Sequence, residues 1–174
     1  THLIFMMTVG ILVLMTVFFF RPQILHSAAT MSMMRLLKTV ATAANETDSI
    51  EEGLQTAIDN ICDYTGWPVG HVYIYSAERE ALVSMNVWHM GALEHADTFK
   101  AATRALQFKP GQGFIGEVFA DATPMWILDV STSGGYKRKE VAAACGLKAG
   151  FAFPIFIGKK AVAVMEFYSR EAKI

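Results

Sequence analysis

The residues of this sequence that could do chemistry are few and scattered. A metal site needs ligands clustered at short spacings, such as Cys-x-x-Cys or His-x-x-x-His, and none occurs. His71 and His89 fall on segments of strand character and can approach one another, but no third ligand accompanies them or His95. All three read as structural or solvent-facing histidines. Hydrolysis needs a nucleophile, a base and an orienting acid within hydrogen-bond reach, and no spacing here suggests such a set. The expectation is therefore no catalytic residue, no metal and no named cofactor. Cys62 and Cys145, far apart in sequence, read as two buried thiols of a reducing compartment. What remains is recognition. A pocket lined by aromatics with a few polar anchors suits a small ligand, and Trp88, Phe99, Trp126 and Phe153 with Asn86 and Asp129 form the candidate ligand-binding set. The same rings are ordinary core material, and Asp129 equally suits a turn in which it accepts backbone hydrogen bonds. Both readings stand.

These residues need elements to hold them, and the chain supplies three kinds. Leu3 to Phe20 is an apolar run without charge, broken only by Thr8, Gly10 and Thr16. As a helix it would rise about 27 Å, close to a bilayer core of roughly 30 Å. The reading is a transmembrane helix over 1–21, with lipid contact through 3–20. Arg21, Arg35 and Lys38 follow it and no acid appears before Glu46. That bias places the downstream part on the cytoplasmic side of an inner membrane. A cleaved signal peptide would want basic residues before the run, and none precedes it, although the small residues Ala28 and Ala29 leave that alternative open.

Residues 22–47 read as a juxtamembrane signalling helix or linker. Met33, Leu37, Val40 and Ala44 recur at steps of four, three and four, a short coiled-coil stripe that suggests a homodimer. An amphipathic helix lying on its own domain is the rival reading. The formal net charge of -1 gives no concentrated positive surface, so no nucleic-acid partner is expected.

Residues 48–174 read as one folded domain. A helix begins near Ser49 and carries Ile50, Leu54, Ala57, Ile58 and Ile61 on one face, with Glu51, Glu52, Gln55 and Asp59 elsewhere. Strands follow at Val69–Ser76 and Ala81–His89, then a helix over Glu94–Leu106 and a glycine-rich turn from Phe108 to Gly113. A short helix through Phe119, a strand at Met125–Leu128 and a loose stretch at Ser131–Gly135 come next. Lys137, Arg138 and Lys139 open another helix, and this basic run reads as solvated surface. Two strands, Gly150–Ile157 and Ala161–Tyr168, close as a hairpin. Pro154 marks either a bulge or a place where the neighbouring strand has ended. The sum is an α+β domain with a sheet of about five mostly antiparallel strands and helices on at least one face.

The stretch Phe108 to Tyr168 resembles the GAF domains of bacterial signalling proteins. The resemblance rests on Phe108, Gly111, Gly113 and Gly116, on Val118-Phe119-Ala120, and on Pro124-Met125-Trp126-Ile127 with Asp129. Ala142-Ala143, Gly146-Leu147, Phe151 to Ile155 and Val164 to Ser169 complete it. It implies a GAF-like, PAS-related antiparallel sheet of five or six strands in the order 2-1-5-4-3, with a ligand pocket on one face. It further implies a sensory module that relays a small-ligand or redox state to a missing output domain, a histidine kinase or a diguanylate cyclase. A spacer that only holds a dimer together is the alternative. Some GAF domains attach tetrapyrroles through cysteine, but Cys145 lacks the Cys-His pair this requires. By the same standard, the helix that follows the last strand is absent from the sequence.

Overall fold

The computed structural model describes residues 50–171. The expected membrane span at 1–21, the linker at 22–47 and its dimer stripe lie outside them. Among the described residues, no helix is long and apolar enough to cross a membrane.

Helix α1 (Ile50–Thr65) buries Leu54, Ala57, Ile58, Ile61 and Cys62 and leaves Ile50 exposed. It ends where Gly66 takes a positive φ and its N–H donates to the Cys62 carbonyl. Strands β1 (Val69–Ser76) and β2 (Ala81–Met90) form a hairpin. Helix α2 (Ala96–Arg104) is shorter than its apolar pattern suggests, because Gln107–Phe108 leaves the helix to pair with β2 as strand β3. The gain is burial: Phe108 sinks into the core edge-on to Tyr73, 5.3 Å between ring centres. Helix α3 (Gly113–Asp121), strand β4 (Met125–Ile127) and helix α4 (Lys139–Ala144) precede the long hairpin β5 (Ala149–Ile157) and β6 (Lys160–Ser169).

The six strands run in the order β3-β2-β1-β6-β5-β4, all neighbours antiparallel. Without the two-residue edge strand β3 this is the order that the resemblance implies. The β4 ladder stops at Ala152, two residues short of Pro154, so no strand on that side is denied a hydrogen bond. The register shifts just beyond, opposite Ile155 and Phe156, where the extra residue is Val162 of β6.

Alternation along the strands sorts the side chains into two cores. Beneath the sheet, α1 packs with Trp67, Val72, Val87, Phe151, Phe153, Ile155, Met165 and Phe167. Gly70 makes the close approach of α1 possible, since a Cβ there would lie 2.7 Å from Ile58 Cγ2 and 3.0 Å from Cys62 Sγ. The upper face, under α2, α3, α4 and their loops, holds Tyr73, Leu82, Phe99, Phe108, Ile115, Val118, Leu147 and Tyr168. The glycine run finds its reason here. Gly111 and Gly113 take positive φ, and a Cβ on Gly116 would sit 2.2 Å from the Lys109 carbonyl oxygen.

Candidate functional site

A charged residue in the middle of a buried strand must be paired. Glu166 is such a residue, with no exposure in the centre of β6. Four donors satisfy its carboxylate. Oε1 accepts from Arg138 Nη1 at 2.8 Å and from His71 Nδ1 at 3.1 Å. Oε2 accepts from Arg138 Nη2 at 2.6 Å and from the Tyr168 hydroxyl at 2.7 Å. The fork of the guanidinium thus meets the carboxylate along its two-nitrogen edge. Arg138 Nη1 also donates to Thr103 Oγ1 and Nη2 to Tyr168 Oη. The rings of Phe99, Tyr136, Tyr168 and Tyr73 lie 5.3 to 5.9 Å from the guanidinium carbon.

Arg138, expected on a solvated surface, is 2% exposed. It stands just ahead of α4, where the chain turns inward, while its neighbours Lys137 and Lys139 are both exposed, as expected of the run. Composition alone could not separate the middle residue of a basic run from its flanks.

His71 reaches Glu166 because of an irregularity in β2. His71 pairs with Trp88 and Tyr73 with Ser84, so Met85, Asn86 and Val87 together face Val72. The bulge pushes Asn86 out to solvent, where it accepts from Arg104 Nη2, and brings Ser84 Oγ to 2.8 Å from His71 Nε2. Burial lowers the His71 pKa, against the pull of Glu166 and with some help from Arg138. The neutral ring with Nδ1–H donating to Glu166 and Nε2 accepting from the Ser84 hydroxyl gives each ring nitrogen a partner. Burial also works to raise the pKa of Glu166, but Arg138 and His71 overcome it and hold the carboxyl at about 2.

Trp88 joins this cluster to the opposite face. Its ring stacks on His71, 3.9 Å between centres. Its backbone N–H donates to Gln55 Oε1 at 3.1 Å, and its carbonyl accepts from Gln55 Nε2 at 2.8 Å. Gln55 belongs to α1, so one residue touches the polar cluster with its side chain and the helix with its peptide groups.

The six candidate residues do not converge. Trp88 and Phe99 lie with the upper core, and Phe99 packs edge-on to Tyr168 at 5.5 Å. Trp126 and Phe153 lie with the lower one, on the other side of the sheet. Asn86 is displaced outward. Asp129 turns back on its own chain, accepting from the Ser131 amide at 2.8 Å and the Ser131 hydroxyl at 2.5 Å. Those two bonds lower its pKa. The split follows from strand parity, since Ala152 faces up and its neighbours Phe151 and Phe153 face down.

The histidines separate in the same way. His89 pairs with Gly70 in register, one position from His71, and bonds Asp59 of α1 at 2.8 Å instead. No group of three metal-ligating side chains occurs among the described residues. Cys62 and Cys145 are buried in different cores, on opposite sides of the sheet. Sequence reasoning missed Glu166, Arg138, Ser84 and Gln55. A lone acid amid a strand with apolar residues on both faces was the available signal for Glu166.

A protein-family model described as GAF domain matches residues 47–173. No curated protein matches the chain significantly. Among solved structures, the GAF domain of a phosphoenolpyruvate-protein phosphotransferase from Coxiella burnetii is similar over 82% of this chain and 80% of its own, with TM-score 0.64 and 18% identity. The free methionine-R-sulfoxide reductase of Neisseria meningitidis, solved with its substrate, is similar over 88% and 82%, with TM-score 0.64 and 14% identity. NreA of Staphylococcus aureus, altered in its nitrate binding site, is similar over 68% and 86%, with TM-score 0.52 and 17% identity. At these identities the likeness is one of fold.

Proposed function

Because this chain belongs to the GAF domain family, we propose that it is the sensory module of a membrane-bound signal transduction protein. In this reading a small molecule binds on the upper face, and its occupancy is relayed through α1 to an output domain elsewhere in the full-length protein. A histidine kinase is the output that the sequence resemblance favours, and a diguanylate cyclase is the second. The apolar run at 3–20 anchors the protein in the inner membrane with the GAF domain in the cytoplasm. The stripe at Met33, Leu37, Val40 and Ala44 pairs two copies.

The observation that carries this reading is the double role of Trp88. Its ring rests on the buried His71–Glu166–Arg138 cluster while Gln55 of α1 holds both of its peptide groups. A shift of the cluster therefore moves the helix that leads back to the linker. Two proteins of this fold support a small ligand by their descriptions, one having a nitrate binding site and the other, a free methionine-R-sulfoxide reductase, solved in complex with its substrate. The redox alternative has less support, because Cys62 and Cys145 lie on opposite sides of the sheet.

The test uses the full-length protein. Leu37→Asp with Val40→Asp should abolish both dimerisation and output. Gln55→Ala should leave the dimer intact and uncouple output from the upper face. Unchanged sedimentation and output in the first variant would defeat the relay. Output that is lost with Leu37→Asp and Val40→Asp yet indifferent to Gln55→Ala would instead favour the spacer. Recovery of the protein in the soluble fraction without detergent would remove the membrane anchor.

A further inference from the structure

The lower face of the sheet ends in an apolar shelf. Val83, Ile74, Ala163 and Ile155 are register partners in turn across β2, β1, β6 and β5. Ala163 and Ile155 belong to the lower core, so the whole row faces that side. At ordinary strand spacing it runs about 14 Å. The middle of the row is buried, but its surroundings are not. Ile74 is 36% exposed, Ile157 further along β5 is 45% exposed, and Val83, Met85 and Val162 are half-buried. Adjoining apolar side chains left to water mark a docking surface in a way that scattered ones do not.

The course of α1 shows what reaches this shelf. Asp59 bonds His89, level with Gly70, and Gln55, one turn earlier, bonds Trp88, level with His71. Helix α1 therefore runs against β1, with Ile58 lying over Gly70. From that contact Ile50 lies about 12 Å back along the helix, and Ile74 about 13 Å on along the strand. Ile50, 59% exposed, thus opens α1 level with the shelf, and the chain ahead of it arrives there. That chain carries the stripe Met33, Leu37, Val40 and Ala44, which as a helix spans about 16 Å and matches the row in length. Asn45 to Ser49 puts five polar residues between stripe and α1, enough for the short connection of an antiparallel helix pair. A lipid surface fits less well. Glu51, Glu52, Glu78 and Glu80 stand at this end against Arg79, Lys159 and Lys160, which leaves no positive excess to hold anionic headgroups.

We propose that residues 33–44 fold back as a helix onto this shelf of their own domain, setting Met33, Leu37, Val40 and Ala44 against Ile74, Val162 and Ile157. This goes beyond the relay. The stripe that pairs two copies then has a second partner, and the two engagements exclude each other. The domain holds the stripe in one state and frees it for pairing in the other, so occupancy of the shelf sets the balance between single and paired copies.

The test labels the full chain in detergent micelles with a maleimide, after introducing Ile74→Cys or Ile157→Cys singly. Both positions are exposed and tolerate the change, while Cys62 and Cys145 are buried. Labelling should be slow in either variant and about tenfold faster once Leu37→Asp and Val40→Asp are added. Protection should persist or deepen on dilution, because stripe and shelf belong to one molecule. Fast labelling throughout would overturn the proposal. So would protection that is lost on dilution, the mark of a second copy, or protection that survives the two Asp substitutions, the mark of detergent or lipid. Sedimentation reads the pairing of copies separately. If Leu37→Asp with Val40→Asp exposed the shelf without altering sedimentation, the dimer would fall and the fold-back would stand.

Discussion

Glu166 and Arg138 form a buried pair whose value depends on both members being present. Removing one leaves the other charged and unsolvated, which typically costs about 3–5 kcal/mol, whereas replacing both by apolar groups is often close to neutral. Glu166→Gln should therefore lower the urea midpoint severely. Arg138→Met combined with Glu166→Leu should be far milder than either single change. A double variant as damaging as the sum of the singles would contradict this account. His71 and Glu166 also set how stability depends on acidity. The folded chain holds His71 neutral below its ordinary value of 6.5, so the unfolded state binds the extra proton first and stability falls as pH drops below that point. Glu166 is held at about 2 against an ordinary 4.5, so a second loss follows as pH falls from about 4.5 toward 2. Urea midpoints measured across pH should show both limbs, and His71→Gln should flatten only the first.

At the scale of elements, two glycines fix how closely parts of the fold can approach. Gly70 lets α1 settle onto β1 against Ile58 and Cys62, both buried in the lower core. Gly70→Ala should push the helix outward and cost about 1–3 kcal/mol, the usual penalty of overpacking. Gly116 faces the Lys109 backbone, which cannot rotate away as a side chain can, and its carbonyl accepts from the Gly111 N–H at 2.7 Å. Gly116→Ala should therefore be the more damaging of the two. Thermal unfolding of both variants ranks them directly, and the reverse order would refute the contact geometry. Helix α1 also shows why a polar residue on an amphipathic helix is not always a solvated one. Gln55 and Asp59 flank its apolar stripe, yet both reach β2, at Trp88 and His89.

Over the whole molecule, one sheet separates two cores and also couples them. β1 and β6 contribute side chains to both, as Val69 and Tyr73 lie above while Val72 lies below, and Tyr168 lies above while Phe167 lies below. Neither core can lose its packing without disturbing strands that the other uses. Unfolding should accordingly be a single cooperative transition for the described domain. The tryptophans give a direct check, since Trp67 and Trp126 report on the lower core and Trp88 on the upper. Fluorescence curves of the wild type and of Trp88→Phe should coincide with the loss of helical circular dichroism. Separate midpoints would mean that the faces unfold independently, which would weaken any relay between them.

Periodicity and turn residues, which are local properties, were enough to read five of the six strands, the helices and the two-sided burial of the β5–β6 hairpin. The sequence also determined the family, since the Phe108 to Gly116 run encodes a turn whose sterics admit little but glycine. The edge strand β3, the β2 bulge and the burial of Arg138 were decided only in three dimensions. Each depends on residues far apart in the chain: Glu166 meets Arg138 across 28 positions and His71 across 95. The aromatic residues chosen as one pocket divided between two faces because a shift of one residue along a strand reverses the direction of a side chain. No local pattern could reveal that Ser84 rather than Asn86 would stand beside His71, for the answer lies in a register that the packed sheet alone fixes.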